Sequence, residues 1–246
     1  MTKTLILIPS RMAATRLPGK PLLKINNLSI ISHVFKRALE ANIGEVVVAT
    51  EDNEILQDVI KNGGKGILTS KGHKTGTDRI FEAYKKLEVK NVDFILNLQG
   101  DEPNINKDDI VTLNNFMIEN ESEIGTLAAK IKSDQMLENK NVVKVITENN
   151  LDERSFSTAL NFTRGNLSKA NPNIYHHIGI YSYKVSVLEK FVNLKQTKNE
   201  IENKLEQLRA LDNKIKINVG LAKSSPIGVD TEEDYLAIKK FMEYKL

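Results

Sequence analysis

The sequence predicts an α/β fold with a mixed, mainly parallel sheet flanked by helices. From residue 4 to about residue 120, short runs of β-branched residues alternate with longer segments whose apolar residues recur at helical spacing. This alternation is typical of βαβ units, whose strands pair in parallel. A length of 246 residues lies within the range that one α/β domain covers with a single sheet. We therefore expect one domain over residues 1–246, with a small additional lobe.

The first half of the chain predicts strands and helices in strict alternation. The strands are predicted at Leu5–Ile8, Glu45–Thr50, Gly66–Thr69 and Phe94–Leu98. Each helix between them shows one apolar face. The residues of these faces are Ile30, Ile31, Val34, Phe35, Ala38 and Leu39 in the first helix, Ile55, Leu56, Val59 and Ile60 in the second, and Ile80, Phe81 and Tyr84 in helix Thr77–Leu87.

Beyond residue 120 the alternation loosens, and we expect strands of mixed direction. The predicted strands are Gly125–Ile131, Val142–Ile146 and Ile178–Tyr183, and the predicted helices are Val185–Val192 and Ile201–Leu211. The last helix begins at Thr231, whose hydroxyl can cap it while Asp234 completes a capping box. The polar segment Asn149–Asn173 is predicted to be a long surface loop.

Composition and charge exclude several classes of protein. The chain carries 35 Lys and Arg against 32 Asp and Glu, a net charge of +3 that is too weak for a nucleic-acid-binding surface. It has no cysteine, which excludes disulfides, thiolate metal sites and a cysteine nucleophile. No run approaches the roughly 20 apolar residues that span a bilayer, and the first residues do not resemble a signal peptide. We therefore expect a soluble, cytoplasmic protein that neither binds nucleic acid nor inserts into a membrane.

A basic segment follows the first predicted strand at once. Arg11, Arg16 and Lys20 lie within ten residues, and a Pro-Gly turn precedes Lys20. Ligands bind beyond the carboxyl ends of the strands in open α/β sheets, and Arg forks with a mobile Lys suit the oxygens of a triphosphate. The alternative is a solvated basic loop. The segment contains neither a Walker loop nor a Rossmann glycine motif, so generic nucleotide motifs do not apply.

Two aspartates are candidate ligands of magnesium (Mg2+). Asp101 follows strand Phe94–Leu98, where Gly100 lets the backbone approach a ligand closely, and Asp230 stands just ahead of the last helix. Magnesium prefers hard oxygen ligands together with substrate phosphates. Each aspartate is alternatively a turn former or a helix cap. Glu102, beside Asp101, is a candidate for a supporting position behind the metal.

A second polar segment stands at the start of a predicted helix. Thr75, Thr77 and Arg79 offer hydroxyls, a guanidinium and free backbone amides to a polar ligand. The alternative is simple N-capping.

Several motifs together resemble the 3-deoxy-manno-octulosonate (KDO) cytidylyltransferases. The segment Ile8–Leu22 is similar to the opening signature of that family, and five later blocks follow in the same order. These blocks are Thr75-Gly76-Thr77-Asp78-Arg79, Asn97-Leu98-Gln99-Gly100-Asp101-Glu102-Pro103, His177-Ile178-Gly179-Ile180-Tyr181, Leu205-Glu206-Gln207-Leu208-Arg209 and Gly228-Val229-Asp230-Thr231-Glu232-Glu233-Asp234. The resemblance covers nearly the whole chain.

The resemblance implies a nucleotidyltransferase-type, Rossmann-like fold and the transfer of CMP from CTP to KDO for lipopolysaccharide synthesis. It implies magnesium as cofactor, no protein nucleophile, and a homodimer formed through the region after residue 120. It also implies a base pocket between the helix start at Thr75 to Arg79 and the backbone groups near Pro9 and Ser10, and we expect this pocket to prefer CTP over UTP. The residues to which it gives roles are Arg11, Arg16 and Lys20 for the triphosphate, Lys20, Asp101 and Asp230 for catalysis and the metal, Thr75, Thr77 and Arg79 for the base, and Gln99, His177, Glu206 and Gln207 for the acid sugar.

One segment departs from the family pattern. Family members usually carry a Ser-Arg-x-x-Ile-Pro stretch after a Phe, whereas this chain has Phe156 followed by Ser-Thr-Ala-Leu-Asn. Arg154 and Arg164 are candidates for the missing contact with the sugar carboxylate. The alternatives are therefore a cytidylyltransferase for an 8-amino or sialic-acid-like sugar, a catalytically silent nucleotide-binding protein and a purely structural subunit. Retention of Asp101 and Asp230 argues against the silent protein, and the three-cation loop argues against the structural one.

Overall fold

A computed structural model describes residues 2–13, 16–165, 167, 173–226 and 228–243. The chain divides into two compact units, and each contains several strands. The first unit comprises Met1–Val111 and Pro226–Leu246, and the second comprises Thr112–Ser225. The expectation of one domain over residues 1–246 stays a prediction. No helix in the described ranges is long and apolar enough to cross a membrane.

A parallel sheet forms the centre of the first unit. Its strands and a short hairpin are β1 (Thr4–Ser10), β2 (Lys24–Ile25), β3 (Leu28–Ser29), β4 (Gly44–Thr50), β5 (Gly66–Leu68) and β6 (Phe94–Asn97). Strand β1 pairs in parallel with β4 and β6, and β4 pairs in parallel with β5, so the order is β5-β4-β1-β6. All of β1 is buried, as in a strand covered on both faces. The predicted parallel βαβ pattern is confirmed.

Amphipathic helices connect these strands. They are α1 (Ile30–Ala41), α2 (Asn53–Lys61), α3 (Gly76–Leu87) and α4 (Lys107–Glu119), of which α4 continues into the second unit. The predicted apolar faces are wrong at two positions, because Leu39 is 48% exposed and Ile60 is 51% exposed. Each directly follows a buried residue, Ala38 or Val59, and the helical step of about 100° turns it away from the core.

An apolar cluster anchors the C-terminal helix, Glu232–Glu243, to the β2–β3 hairpin. Its fully buried members are Ile25, Ile30, Val229 and Ile238. The helix begins as predicted, because the Thr231 hydroxyl accepts a hydrogen bond from the Asp234 amide at 3.2 Å and the Asp234 carboxylate accepts one from the Thr231 amide at 2.9 Å. This capping box fixes the segment that carries Asp230.

The second unit contains strands of mixed direction, as predicted. They are β7 (Ile124–Lys130), β8 (Lys144–Thr147), β9 (Ser157–Thr163), β10 (Ile174–Lys184) and β11 (Ile217–Leu221). Strand β7 pairs in parallel with β11 and antiparallel with β10. Strand β9 pairs antiparallel with β11 and β8, and β8 also pairs antiparallel with β10. Each of these five strands is therefore paired with two others of the unit, in the cyclic order β7-β10-β8-β9-β11.

Strand β9 contradicts the surface loop predicted at Asn149–Asn173. Ser157, Ala159 and Phe162 are buried, whereas Leu160 is 58% exposed. The segment resembles a loop in sequence because most of its inward side chains are small and its outward ones are largely polar. Pairing with β8 and β11 supplies the backbone hydrogen bonds that make it a strand. Residues 166 and 168–172 of the predicted loop lie outside the described residues.

The helices of the second unit are α5 (Asp134–Glu138), α6 (Val185–Val192), α7 (Lys198–Asn203) and α8 (Leu208–Asp212). The single helix predicted at Ile201–Leu211 is therefore wrong. Helix α7 starts earlier because Thr197 and Glu200 form a capping box, and it ends where Lys204 adopts a left-handed φ of 53°. Glu206 and Gln207 consequently lie in the connection between α7 and α8.

Candidate active site

A cleft of about 360 Å³ opens in the first unit where β1 and β6 end. Its position agrees with the rule that open α/β sheets bind ligands beyond the carboxyl ends of their strands. Ten of the residues predicted for the site line it, namely Pro9, Ser10, Arg11, Arg16, Lys20, Thr75, Arg79, Gln99, Asp101 and Asp230. Ala13, Pro21, His73, Lys74, Gly76 and Gly100 line it as well.

Two glycines let neighbouring segments approach the end of β1. A Cβ added at Gly100 would lie 2.9 Å from the Pro9 carbonyl oxygen, and one added at Gly76 would lie 3.1 Å from the Pro9 Cγ. Both distances are shorter than ordinary van der Waals contact. Gly100 thus brings Gln99 and Asp101 to the end of β1, and Gly76 brings the start of α3 there.

The basic segment after β1 is folded back on itself. The Met12 amide donates to the Asp52 carboxylate at 2.7 Å, and the Gly19 amide donates to the Met12 carbonyl at 3.2 Å. Gly19 has a φ of 72° and leads into a short 3₁₀ turn, Lys20–Leu22. These bonds close the loop that carries Arg16 and Lys20, so both cations return to the cleft.

Lys20 stands between the two predicted metal ligands. Its Nζ lies 2.7 Å from Asp101 Oδ2 and 3.4 Å from Asp230 Oδ1, and Arg16 Nη2 lies 2.9 Å from Asp230 Oδ2. The Lys20 side chain is only 13% exposed. The Val229 amide donates to the Asp101 carbonyl at 2.9 Å, which ties the two aspartate segments together. Two aspartates that are 129 residues apart therefore share one cation.

The donor set at this point fits magnesium. Asp101 and Asp230 direct oxygens at a common cation, which is the arrangement of a metal held by two carboxylates and substrate phosphates. Behind them the Glu102 Oε2 is buried without a hydrogen-bond partner among the described residues. Burial, followed by the charges of Asp101 and Asp230, raises the pKa of Glu102 to about 8. A bound cation would oppose the part of this rise in pKa that the charges of Asp101 and Asp230 cause. In the described ranges no group of three or more His, Cys, Asp or Glu is placed to hold a metal.

Arg79 is engaged with the protein at the start of α3. Its guanidinium donates to Thr69 Oγ1 at 2.7 Å and to Glu51 Oε2 at 2.6 Å, and the residue is 2% exposed. The hydrogen bond from Arg79 is the main cause that lowers the pKa of Glu51. Arg79 thus fixes the helix start, and its role in reading the base stays a prediction.

The two threonines of this segment differ in position. Thr75 lines the cleft and caps α3, because its hydroxyl accepts a hydrogen bond from the Asp78 amide at 3.1 Å. Thr77 is 1% exposed and lies in the first turn of α3. Thr75 combines the capping role with access to a ligand, whereas base contact by either threonine stays a prediction.

Sequence reasoning missed two polar residues of the cleft, His73 and Lys74. Both immediately precede the Thr75 cap, and apart from that proximity neither belongs to a periodic pattern or a motif. Ser10 was predicted for its backbone, yet its Oγ is buried and has no hydrogen-bond partner in the part of the chain that the structure describes. Gln99 donates from Nε2 to Asn97 Oδ1 at 3.4 Å.

The residues predicted for the acid sugar, apart from Gln99, belong to the second unit. His177 lies in β10, is 8% exposed, and its Nε2 is 3.0 Å from the Thr126 hydroxyl. Burial, followed by the charges of His176 and Arg164, lowers the pKa of His177 to about 3, so the ring is neutral. His176 faces the opposite side of the strand, as expected, and its Nδ1 is 3.0 Å from Ser225 Oγ.

Tyr181 lies near the same ring within the second unit. The ring centroids of His177 and Tyr181 are 5.3 Å apart. Burial raises the pKa of Tyr181 well above its ordinary value, and the charges of Tyr183 and Glu206 add to the effect. The Tyr181 hydroxyl has no hydrogen-bond partner among the described residues. Sugar contacts by His177, Glu206 and Gln207 stay predictions.

Solved structures resemble this fold over its full length. The structure of CMP:2-keto-3-deoxy-manno-octonic acid synthetase complexed with CTP matches with a TM-score of 0.89 at 36% identity and covers 100% of both chains. The structure of UDP-glucose pyrophosphorylase complexed with UDP-glucose matches with a TM-score of 0.76 at 17% identity, again over 100% of both chains. The latter likeness concerns the fold alone. Together they confirm the predicted mixed α/β nucleotidyltransferase-like fold.

Several relatives match this chain nearly end to end. The 3-deoxy-manno-octulosonate cytidylyltransferase of Rhodopseudomonas palustris (strain BisB18) is 44% identical over 244 residues, which are 99% of each chain. The enzyme of that name from Nitrobacter hamburgensis is 42% identical over 242 residues, 98% of this chain and 93% of the relative. The family model described as cytidylyltransferase matches residues 5–217. With this match, and with a basic loop and paired aspartates around one cleft, the chain belongs to the cytidylyltransferase family.

Proposed function

We propose that this chain transfers CMP from CTP to 3-deoxy-manno-octulosonate and releases pyrophosphate, a reaction that supplies the activated sugar for lipopolysaccharide synthesis. Its relatives at 42–45% identity carry that name over nearly their whole length. A solved relative with a TM-score of 0.89 contains CTP. The chain is therefore an enzyme of nucleotidyl transfer.

The observation that carries this proposal is the meeting of Lys20, Asp101 and Asp230 at one edge of the cleft. A nucleotide triphosphate brings several negative charges, and its transfer requires cations next to the transferring and leaving oxygens. Arg11 and Arg16 line the same cleft and add guanidinium forks for phosphate oxygens. The site thus combines cations for the triphosphate with carboxylates for a metal.

The reaction consists of in-line attack by the anomeric hydroxyl of the sugar on the α-phosphorus of CTP. When bound by Asp101 and Asp230, magnesium supplies positive charge to the phosphate oxygens. Lys20 holds both carboxylates in register, and its ammonium lies where it can also contact the triphosphate. The protein therefore acts by positioning its ligands and neutralising their charge, and it needs no nucleophile of its own.

The acceptor is the part of the proposal for which the chain itself departs from its family. The stretch after Phe156 forms β9, and it lacks the Arg and Pro that the resemblance leads one to expect. An 8-amino analogue of KDO is therefore the second candidate acceptor. Release of pyrophosphate from CTP with magnesium, compared among KDO, its 8-amino analogue and a sialic acid, tests the choice. We expect KDO to have the highest kcat/KM, and a higher value for another sugar would overturn it.

We also propose that the enzyme is a homodimer, as the family resemblance implies. The second unit, Thr112–Ser225, is the segment expected to mediate pairing. Light scattering at micromolar concentration should give twice the mass of one 27.7 kDa chain. A mass of one chain at that concentration would reject the dimer.

A further inference from the structure

His73 lines the cleft, yet the mechanism above gives it no task. It stands two residues before Thr75, the cap of α3, and its side chain is 20% exposed. Gly76 brings this helix start against Pro9, at the end of β1. His73 thus belongs to the wall of the cleft that is formed by the start of α3, whereas Arg11, Arg16 and Lys20 belong to the loop after β1.

Glu82, about two turns after the Thr75 cap of α3, holds the imidazole. Its Oε2 is hydrogen-bonded to His73 Nε2. The Glu82 carboxylate also accepts hydrogen bonds from the Ser70 amide and hydroxyl at 3.0 Å, and it lies 2.6 Å from Lys86 Nζ. Burial favours the neutral carboxyl, but the hydrogen bonds from Lys86, His73 and Ser70 outweigh it and lower the pKa of Glu82 to about 2. Glu82 is therefore ionised at neutral pH.

An ionised carboxylate only accepts hydrogen bonds, so a His73 ring that carries a single N–H must carry it on Nε2. The other ring nitrogen, Nδ1, then carries a lone pair and is an acceptor. No hydrogen bond to Nδ1 is found in the described part of the chain. The ring is thus fixed in one tautomer and presents an acceptor to a ligand, in the way that a second group orients a functional histidine.

We propose that His73 recognises the nucleoside of the bound nucleotide, with Nδ1 accepting a hydrogen bond from a nucleoside donor group and Glu82 acting as the positioning residue. The inference rests on the proposed function, because it takes CTP as the ligand. An acceptor nitrogen repels phosphate oxygens, so the partner is on the nucleoside rather than on the triphosphate. The donors available there are the 4-amino group of cytosine and the ribose hydroxyls.

Calorimetric titration of the full-length protein with CTP tests this inference without an acceptor sugar. The titration is made at pH 8, where histidine side chains are ordinarily neutral. Loss of one neutral hydrogen bond should make His73→Ala bind CTP about three- to tenfold more weakly. Glu82→Ala should weaken binding similarly, and Glu82→Gln should recover part of the loss because its amide oxygen still accepts from Nε2. Lys71→Ala, an exposed change in the same loop, should bind as the wild type does.

Titrations with UTP, 2′-deoxy-CTP and 3′-deoxy-CTP distinguish the two donor groups. If the amino group is the partner, His73→Ala weakens CTP binding but leaves UTP binding unchanged. If a ribose hydroxyl is the partner, the substitution weakens CTP and UTP equally and has no effect on the analogue that lacks that hydroxyl. An equal loss for all four nucleotides, or CTP binding within twofold of wild type, would overturn the inference while leaving the proposed function intact. A wild-type chain that binds no cytidine nucleotide would contradict both.

A spectroscopic measurement keeps the inference testable if His73→Ala does not fold. The chain has four histidines, so two-bond ¹H–¹⁵N spectra of the imidazoles are simple, and His73→Asn assigns the signal. We expect the free protein at pH 8 to show the hydrogen on Nε2 of His73, and we expect CTP to shift the Nδ1 resonance. A ring with its hydrogen on Nδ1, or an Nδ1 signal that CTP does not move, would contradict the inference.

Discussion

Lys20 balances the charge of the site at the scale of single residues. Its ammonium contacts Asp101 and Asp230, and it is the least exposed of the three side chains. Without a cation between them, two carboxylates at one edge of a cleft would repel each other. We therefore expect the two aspartates to contact Lys20 in the free enzyme and to contact the proposed magnesium ion when the nucleotide is bound.

Asp101→Asn and Asp230→Asn should each abolish most turnover while the protein stays folded. An amide keeps the size of the carboxylate but loses the charge that would hold the proposed magnesium ion. Steady-state rates at saturating magnesium, with circular dichroism to check folding, measure the effect. Glu233→Gln is the matched control, because it removes one exposed negative charge from the first turn of the neighbouring helix. Near-normal turnover in either aspartate variant would remove that residue from the metal site.

Lys20→Ala and Arg16→Ala should impair the use of CTP more than the use of the sugar. Each variant would lose one of the proposed charged hydrogen bonds to the triphosphate, which corresponds to about 1.5 to 3 kcal/mol of binding free energy. The measurement is KM for each substrate at saturation of the other, with exposed Lys36→Ala as control. A change confined to the KM of the sugar would show that Arg16 and Lys20 contact the sugar and not the triphosphate.

The sequence predicted most residues of the cleft because their signals are local. Arg11, Arg16 and Lys20 follow the buried strand β1. Asp101 follows β6, which pairs in parallel with β1. His73 could not be predicted in the same way, because its orientation depends on Glu82, nine residues further along the chain. The engagement of Arg79 by Glu51 was hidden for a similar reason, since that partner comes from the end of β4.

The close contact between β1 and the segment after β6 explains why residue 100 is a glycine. Gly100→Ala should place a Cβ 2.9 Å from the Pro9 carbonyl oxygen, and relief of that clash must shift the backbone that carries Asp101. We expect a loss of about 1 to 3 kcal/mol in the free energy of unfolding, together with reduced turnover. Chemical denaturation measures it. Gly228→Ala is the control, because an added Cβ there meets nothing nearer than Glu102 Cγ at 4.0 Å, and an equal loss in both variants would refute the steric explanation.

A buried ion pair joins helices α7 and α8. Arg209 Nε donates to Glu200 Oε2 at 2.8 Å and Arg209 Nη2 donates to Glu200 Oε1 at 2.5 Å, with both side chains less than 5% exposed. This bidentate pair fixes the turn after α7 that carries Glu206 and Gln207. Helical periodicity alone predicted one continuous helix here, because the pair joins residues nine apart and leaves no local signal of the break.

Glu200→Gln should destabilise the protein by about 3 to 5 kcal/mol, because the buried Arg209 guanidinium loses the carboxylate that binds it in bidentate fashion and keeps Glu206 Oε1 at 3.7 Å. Burial raises the pKa of Glu200, but hydrogen bonds from Arg209 and Gln196 more than offset it and lower the pKa overall. A carboxyl with a lower pKa in the folded state stabilises the protein above its ordinary pKa of 4.5 and loses that contribution as the pH falls below it.

Urea denaturation between pH 7 and pH 3 measures both effects. The free energy of unfolding of the wild type should fall below about pH 4.5, and the Glu200→Gln variant should lose part of that dependence. Glu202→Gln, which breaks only an exposed pair with Lys198, should change stability by less than about 1 kcal/mol. Equal pH profiles for wild type and Glu200→Gln would show that the pair does not contribute as described.

At the scale of the whole molecule, the strands that pair in parallel were predicted from the sequence more accurately than those that pair antiparallel. The parallel strands of the first unit were all predicted, because parallel strands buried on both faces appear as continuous apolar runs separated by amphipathic helices, whereas the short β2–β3 hairpin was not predicted. The second unit was predicted only in outline. Strand β9 is marked by its partners rather than by its own pattern, and β11 lies in a segment for which no strand was predicted. Antiparallel pairing over long sequence separations leaves little trace in any one segment.

The proposed base pocket should determine which nucleotide the enzyme uses. Cytosine presents an amino group where uracil presents a carbonyl, so backbone carbonyls near Pro9 and Ser10 would face an acceptor if UTP were bound. A buried polar group left unpaired costs about 1 to 3 kcal/mol, which corresponds to roughly one to two orders of magnitude in selectivity. Purine triphosphates should be excluded by size.

A competition reaction tests the proposed activity most directly. The enzyme is given magnesium, KDO, and CTP and UTP at equal concentration, and the sugar nucleotides are separated and quantified by mass spectrometry. We expect CMP-KDO to form together with an equal amount of pyrophosphate, and to exceed UMP-KDO by at least about tenfold. Comparable amounts of the two products would contradict the cytidine pocket, and the absence of any sugar nucleotide would contradict the proposed function.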